Sequence, residues 1–296
     1  MTFVRRPGSA WQLRTRSLAL GQRTLIMGVL NVTPDSFSDG GLYLGPHAAT
    51  EQAFALLDQG ADIVDIGGES TRPGAQPLSA HEEQDRILPV IEAVMRERSD
   101  ALFSVDTWKA ATATAAAAAG AEIVNDVSAF QWDAGMAAAC ARLQCGVVLM
   151  HTRGRPGDWR MQPRLPNEDV VPLVKTGLAQ ALARAIAAGL APGRIVLDPG
   201  YGFGKMHDEN YPLLAHLDEL LSLGCPLLAG VSRKSFLGHS VAAAIGAADV
   251  PVHARGNATL AATTAAILAG ASIVRVHDVR PALEAAAIAD AILAAL

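Results

Sequence analysis

The sequence is poor in lysine and cysteine and contains no run of basic residues. Its net charge of -5, together with the missing basic run, argues against a nucleic-acid partner. The three cysteines are an odd number without the spacing of a disulfide framework, which favours reduced thiols and a cytoplasmic location. The HExxH, paired CxxC, Walker and GxSxG signatures are missing, so metalloprotease, phosphate-loop and serine-hydrolase chemistry have no support.

Long apolar segments are missing as well. Residues 1–25 contain no continuous apolar stretch of the kind found in signal peptides. The alanine-rich segments are interrupted before they reach the roughly 20 apolar residues that a membrane span needs, so we expect no membrane partner. The arginines near the start are scattered, and we expect them to be solvated: Arg5, Arg6, Arg14, Arg16 and Arg23. The few lysines, which draw attention wherever one lies in a motif, are Lys109, Lys175, Lys205 and Lys234.

What the sequence does contain is a repeated alternation of short apolar runs with alanine-rich helical patterns. The runs, which we expect to be strands, are 24–31, 62–68, 102–107, 122–127, 146–151, 194–200, 227–234 and 272–279. Alternating strands and helices predict a parallel sheet, and eight such units predict a closed barrel. We therefore expect an α/β protein with a single (β/α)8 TIM barrel over 24–296, preceded by a short N-terminal extension, 1–23. A doubly wound open sheet is the alternative.

Polar residues stand at or next to the end of every predicted strand. They are Asn31, Glu69, Asp106, Asn125 with Asp126, His151, Asp198, Lys234 and His277. In a β/α barrel these ends converge on the face where active sites are built. Alternation along a strand predicts that Asn125, Asp198, Arg275 and His277 face one cavity. We expect Asp126 and Asp278 to be helix N-caps instead.

The predicted cavity has two chemically different halves. Asp106, Asn125 and Asp198 offer the acceptors that bind the N–H edge of a flat heterocycle such as a pterin or guanine. Arg275 and His277, with Asn31, form a cation-rich corner suited to phosphate oxygens or a phosphate-bound metal. The segment PGYGFGK (199–205) is either a phosphate cradle or a loop that needs special backbone angles.

Seven motifs resemble, in order, those of the dihydropteroate synthase family. They are NVTPDSFSDGG, IVDIGGESTRPGA, SVDTWKA, IVNDV, LDPGYGFGK, GVSRKSFLG and RVHDV, and they span residues 24 to 280. The resemblance implies a (β/α)8 barrel, usually a homodimer, that uses Mg²⁺. It also implies joining of 7,8-dihydropterin-6-ylmethyl diphosphate to 4-aminobenzoate, with sulfonamides as inhibitors. Tyr201 departs from the phenylalanine that the family often has in the glycine-rich loop.

The resemblance also assigns roles to individual residues. The pterin pocket would be Asp106, Asn125, Asp198 and Lys234. The diphosphate corner would be Asn31, Arg275 and His277, with Asn31 as the metal ligand. The aminobenzoate site would be Thr71, Arg72, Ser232, Phe37 and Pro73. The catalytic residues would be Asp106, Lys234, Arg275 and His277.

Two alternatives remain open at this stage. A pterin-binding methyltransferase domain would explain the pterin carboxylates, although it would leave the STRPG and SRKS segments without a role. A non-catalytic paralogue that acts as a binding protein is the other alternative. It predicts a damaged loop or a missing cation, whereas Thr71, Arg72, Lys234, Arg275 and His277 are all present.

Overall fold

The predicted barrel is confirmed by a computed structural model, which describes residues 3–33, 45–70 and 76–296. Eight parallel strands close into a barrel in the order β10-β3-β4-β5-β6-β7-β8-β9, and a separate antiparallel pair, β1 and β2, precedes them. The strands are β1 Ser9–Gln12, β2 Ser17–Leu20, β3 Leu25–Asn31, β4 Ile63–Gly67, β5 Phe103–Asp106, β6 Ile123–Asp126, β7 Gly146–Met150, β8 Ile195–Asp198, β9 Leu227–Ala229 and β10 Ala271–Val276.

Helices follow the barrel strands and cover the outside of the barrel. They are α1 Gly45–Asp58, α2 Ala80–Glu97, α3 Ala110–Ala119, α4 Met136–Leu143, α5 Asn167–Ala187, α6 Asn210–Ala215, α7 Ser235–Ile245, α8 Gly256–Leu268 and α9 Val279–Ala294. Among the described helices, only α5 is long and apolar enough to cross a membrane. This is weak evidence, because the core helix of a soluble protein passes the same test, and the buried residues of α5 belong to the main hydrophobic core.

Strand β9 is shorter than the run 227–234 predicted. It ends at Ala229, and the chain then turns. Arg233 has a left-handed backbone with φ 57°, which cannot continue a strand. The turn is held because Arg233 N–H donates to Thr259 Oγ1 at 3.0 Å and Arg255 donates to the Arg233 carbonyl at 3.1 Å.

The barrel interior is filled by apolar side chains at its N-terminal end. In one buried cluster, residues in the barrel strands or directly before them pack against residues of the N-terminal hairpin region. Its members are Trp11, Leu13, Leu20, Leu25, Met27, Ile63, Leu102, Ile123, Val148, Val196, Leu228 and Ile273. Because side chains alternate along a strand, the inward residues two positions further on form the next layer, towards the C-terminal face. The apolar layer is therefore the floor on which the inward residues of the C-terminal face pack.

The N-terminal residues are only partly solvated: Arg5 and Arg23 are exposed as expected, whereas the expectation is wrong for Arg6, which is buried. The hairpin β1–β2 closes the bottom of the barrel, where Trp11 is buried and donates from Nε1 to the Arg194 carbonyl at 2.8 Å. Arg6 is buried and forms an ion pair with Asp290 at 2.6 Å, and Arg14 donates to the Ala117 carbonyl at 2.7 Å. These arginines pair with groups that folding brings from distant parts of the chain, which their scattered sequence positions do not reveal.

Candidate active site at the barrel mouth

A polar layer lies directly above the apolar layer of the barrel. It comprises Asp65, Asp106, Asn125, Asp198 and Arg275, each two residues after a member of the apolar cluster or four after it. Two positions beside this layer are glycines, Gly67 at the end of β4 and Gly230 directly after β9. A side chain at Gly67 would meet Asp106, and one at Gly230 would meet Asp198. The missing side chains leave space beside the carboxylates for a ligand.

Arg275 lies among the carboxylates and not in a separate corner. Its Nε donates to Asp65 Oδ2 at 2.6 Å and its Nη2 donates to Asp106 Oδ2 at 2.7 Å. Arg275 is thus paired with the acceptor half of the site, and its expected role towards diphosphate stays a prediction. The physical reason for the pairing is that buried Asp65 and half-buried Asp106 need a nearby cation, and Arg275 is the inward cation of β10.

Asp65 is a central residue of the layer that the sequence did not single out. It is fully buried, and its Oδ2 also accepts from Asn125 Nδ2 at 3.0 Å. Its Oδ1 has no hydrogen-bond partner among the described residues. The signal was available, because Asp65 stands two positions after the inward Ile63.

Asp198 is buried and Asp106 is half-buried, and removal from water changes the acidity of both. Burial raises the pKa of Asp106 to about 7; Asp65 adds to the rise and Arg275 opposes it. Burial raises the pKa of Asp198 to about 6, against the N–H of Gly200, which donates to Asp198 Oδ1 at 2.7 Å. Both groups therefore change charge close to neutral pH, as functional-site carboxylates often do.

Lys234 stands at the N-terminus of α7 and its side chain reaches the same cavity. Its Nζ lies 3.9 Å from the ring centroid of Phe203, a cation–π contact. Burial lowers the pKa of Lys234 to about 8, helped by Arg275, while Asp198 and Asp106 act in the opposite direction. Lys234 thus lies close enough to Asp106 and Asp198 to interact with their charges, and its role in a pterin pocket stays a prediction.

His277 and Ser232 contact one another at the mouth of the barrel. The His277 backbone N–H donates to Ser232 Oγ at 3.2 Å, and that oxygen lies 2.9 Å from His277 Nδ1. Burial, with Arg275 and Arg233 nearby, lowers the pKa of His277 to about 3. His277 is therefore neutral at pH 7, which corrects its expected place in a cation-rich corner. A serine hydroxyl that donates to Nδ1 favours the tautomer with the proton on Nε2.

The glycine-rich segment forms a loop with special backbone angles. Gly200, Gly202 and Gly204 have φ of 68°, 80° and 71°. Its amides are used internally: Gly200 N–H bonds Asp198, Gly202 N–H bonds Asn210 Oδ1 at 2.7 Å, and Phe203 N–H bonds the Gly200 carbonyl at 3.2 Å. Because these three N–H groups already have acceptors within the protein, they are not available to a phosphate. The alternative of a phosphate cradle is therefore not supported.

Asp126 and Asp278, which were expected to cap helices, form other hydrogen bonds instead. Asp126 accepts from the backbone N–H groups of Ser128 and Phe130 at 2.7 and 2.9 Å, in a turn that ends well before α4. Asp278 stands at the N-cap position of α9 but makes no side-chain capping bond. Its carboxylate instead pairs with Arg233 through two bonds of 3.1 and 2.5 Å. Tertiary partners override local capping at both positions.

Two other polar residues near strand ends do not join the site. The ring of His151 packs against α5, where a side chain built on Gly177 would lie 2.5 Å from its Cδ2. Glu69 forms an ion pair with Lys109 and accepts from the Leu78 N–H at 3.1 Å. The convergence of polar strand ends is therefore correct for the inward positions of the barrel and wrong for these two residues.

Several predicted residues lie outside the described part of the chain. These are Phe37, Thr71, Arg72 and Pro73, so their expected roles stay predictions. Asn31 is described: it ends β3, is half-buried, and lies beside Gly67 of β4. Within 3–33, 45–70 and 76–296, no group of three or more His, Cys, Asp or Glu residues could hold a metal ion.

Comparisons with known proteins match this geometry. A family model described as "Pterin binding enzyme" matches residues 27–277. The dihydropteroate synthase of Bacillus subtilis is 40% identical over 277 residues, which cover 94% of this chain and 91% of that protein. A mitochondrial folate synthesis bifunctional protein of Pisum sativum is 41% identical over 283 residues, 92% of this chain; the chain spans 54% of its length.

Solved structures resemble the chain over nearly its whole length. A Xanthomonas albilineans dihydropteroate synthase with 4-aminobenzoic acid has a TM-score of 0.87 and 40% identity, covering 97% of this chain and 99% of that one. A Yersinia pestis dihydropteroate synthase with a sulfonamide drug has a TM-score of 0.87 and 41% identity, covering 97% and 100%. Similarity at this level extends to the whole barrel and not to the shared architecture alone.

Proposed function

The chain belongs to the dihydropteroate synthase family of pterin-binding enzymes, and from that premise we infer its reaction. It joins 7,8-dihydropterin-6-ylmethyl diphosphate to 4-aminobenzoate and releases diphosphate and 7,8-dihydropteroate. The single structural observation that carries this inference is the polar layer at the barrel mouth, in which Arg275 is held by Asp65 and Asp106. Such a layer offers acceptors for a heterocycle and a cation beside the leaving group.

We propose that Asp198 binds the N–H edge of the pterin. Its Oδ1 is already held by the Gly200 N–H, and its Oδ2 lies towards the space beside Gly230. An ionised carboxylate accepts the amino and ring N–H groups of a pterin more strongly than a neutral acceptor does. Lys234, a half-buried cation near Asp198, is suited to the pterin carbonyl oxygen.

The reaction breaks the bond between the pterin methylene carbon and the diphosphate oxygen. Positive charge then develops on that carbon, and ionised Asp106 would favour it. The amino nitrogen of aminobenzoate attacks the carbon to form the new C–N bond and afterwards loses a proton to solvent water. Arg275 would offset the growing charge on the diphosphate, and neutral His277 would donate from Nε2. No protein nucleophile is required.

We propose that the enzyme uses Mg²⁺, and Asn31 is the described residue that offers the ion an oxygen ligand. The ion prefers oxygen ligands and is commonly held by one or two protein groups plus substrate phosphates. Asn31 offers an amide oxygen at the end of β3, next to the inward positions of the polar layer. A single amide ligand fits an ion whose other ligands come from diphosphate and water. When bound, the ion would neutralise the leaving diphosphate.

We propose that the aminobenzoate carboxylate binds at the N-terminus of α7. This helix starts at Ser235 and makes no side-chain capping bond, so its first amides can bind an anion. Ser232, which was expected to contact the carboxylate, is bonded to His277. Ser232 therefore contributes through His277 or exchanges partners when substrate binds.

Sulfonamides are proposed as inhibitors because they resemble aminobenzoate, and a Yersinia pestis relative has been solved with one. The homodimer and the cytoplasmic location also remain proposals. Cys140, Cys145 and Cys225 are free and buried, which supports reduced thiols. Light scattering of the purified protein would measure the oligomeric state directly.

Product formation tests the proposed function. The purified protein is incubated with the pterin diphosphate, 4-aminobenzoate and Mg²⁺, and 7,8-dihydropteroate is measured by chromatography and mass spectrometry. We expect product only when both substrates are present. Methyl transfer from a methylated pterin to a corrinoid, without dihydropteroate, would favour the methyltransferase alternative. Binding of both substrates without any product would favour a non-catalytic paralogue.

A further inference from the structure

Lys205 is a buried lysine for which the proposed reaction has no use. Its side chain lies at the end of the glycine-rich segment, and the residue is only 5% exposed. Its ammonium group pairs with no carboxylate among the described residues, and it donates to backbone carbonyls instead. These are the Gly200 carbonyl at 2.7 Å, the His151 carbonyl at 3.3 Å and, as a longer contact, the Phe203 carbonyl at 3.5 Å.

The loop is shaped so that its carbonyls converge on this cation. The left-handed backbone at Gly200 brings the chain so close to β7 that a side chain there would lie 2.0 Å from the His151 carbonyl oxygen. Three of the loop amides are bonded elsewhere, to Asp198, to Asn210 and to the Gly200 carbonyl. The segment is therefore a cage of carbonyls around an internal cation, the reverse of a cage of amides around an anion.

The caged loop is connected to the site at both of its ends. At its start, the Gly200 N–H fixes Asp198 Oδ1. Near its end, Phe203 places its ring 3.9 Å from Lys234 Nζ and packs edge-on against Trp159, with 5.0 Å between ring centroids. A change in the centre of the loop would therefore move two groups that face the ligand cavity.

We propose that Lys205 is a positioning residue: its ammonium group fills the carbonyl cage formed by Gly200, Phe203 and His151 and thereby holds Asp198 and Phe203 in the geometry that binds the pterin. This inference rests on the proposed function, because it takes the pterin as the ligand of Asp198. It adds a residue that touches no substrate and acts through the loop.

The positive charge of Lys205 also favours the ionised form of Asp198, which an uncharged side chain of the same size would not do. Asp198 is faced by three cations, Lys234, Arg275 and Lys205, and each favours its ionised form. Lys205 in turn is faced by Asp198, Lys234, Arg153 and Glu209. Burial lowers the pKa of Lys205 to about 7, and the convergent carbonyls favour its charged form. Removing this charge should make Asp198 harder to ionise.

The first test replaces Lys205 by methionine, which keeps the length and removes the charge. Binding of a pterin without phosphates is measured by calorimetry from pH 5 to 8, and folding is followed by melting. Lys175→Met is the matched control, since Lys175 lies on α5 outside the site. For Lys205→Met we expect at least a tenfold weaker affinity at pH 7. We also expect the pH at which affinity is lost to be higher than in the wild type.

A second variant keeps the proposal testable if the methionine protein does not fold. Lys205→Ala opens the cage, and ammonium or methylammonium should restore pterin binding at least threefold, while tetramethylammonium chloride at equal concentration should not. Equal pterin affinity in folded Lys205→Met and wild type, or the same response of Lys205→Ala to all three salts, would overturn the proposal. A wild type that binds no pterin would instead contradict the proposed function.

Discussion

Replacing Asp65 by asparagine should change the acidity of Asp106. In the wild type both carboxylates accept from Arg275, at 2.6 and 2.7 Å, and the charge of Asp65 raises the pKa of Asp106. Asparagine keeps the shape, and its Oδ1 can still accept from Arg275. What it removes is one negative charge beside Asp106.

The size of the effect follows from the geometry. Two carboxylates on one guanidinium lie about 5 Å apart, and at an effective dielectric constant of about 20 they repel by about 3 kcal/mol, equivalent to about 2 pKa units. The pKa of Asp106, about 7 in the wild type, would thereby fall below that of Asp198, about 6. Asp198 would then limit the reaction, so the observed shift should be about one unit.

The lower pKa of Asp106 in the variant also changes how kcat/KM depends on pH. Asp106 must be ionised to favour the developing cation, so kcat/KM for the pterin substrate falls as pH falls through its pKa. In Asp65→Asn this fall should begin at lower pH than in the wild type. The maximal rate should also fall, because the variant holds Arg275 and Asn125 less firmly.

The assay is kcat/KM from pH 5 to 8.5 for wild type, Asp65→Asn and a control. Substrate ionisation is common to all three proteins, so it cancels in the difference between profiles. Asp62→Asn is the control, since Asp62 also pairs with an arginine, Arg23, but at the opposite end of the barrel. An unchanged acid limb in Asp65→Asn, or a limb moved to higher pH, would refute the electrostatic coupling of Asp65 and Asp106.

Three further perturbations test other parts of the molecule. Asp198→Ala should weaken pterin binding by about 2–4 kcal/mol, because it removes a charge-assisted partner from a buried pocket, and calorimetry would measure this. Arg275→Ala leaves buried Asp65 and half-buried Asp106 without their cation, so urea unfolding should show a loss of about 3–5 kcal/mol at pH 8. That loss should be smaller at pH 5, where Asp106, whose pKa burial raises to about 7, can protonate. Trp11→Ala, in the barrel floor, should lower the unfolding free energy by about 3–5 kcal/mol and leave both Michaelis constants unchanged.

The barrel and most of its inward residues could be predicted because they follow from local periodicity. Alternation of strands and helices predicts the closed sheet, and alternation within strands places Asn125, Asp198 and Arg275 in one cavity. Asp65 obeys the same rule, but it is flanked by Val64 and Ile66 in DIVDIGG, a segment with the pattern of an ordinary apolar strand. Its importance depends on Arg275 of a strand distant in sequence.

What could not be predicted depends on long-range contacts. The hairpin that carries Trp11 has little local signal, and it is stabilised by the barrel floor on which it packs. Asp278 has the position of a helix cap, yet it binds Arg233 because folding places a guanidinium beside it. The neutral state of His277 follows from burial next to Arg275, a property of the assembled site and not of the RVHDV motif.

Release of diphosphate tests the central claim most directly. The purified protein is given the pterin diphosphate and Mg²⁺, with and without 4-aminobenzoate, and released diphosphate is followed with time beside the 7,8-dihydropteroate formed. We expect release only when both substrates are present, with one diphosphate for each dihydropteroate. Diphosphate released at the same rate without 4-aminobenzoate, or no release with both substrates, would contradict the assignment of this barrel mouth to a synthase.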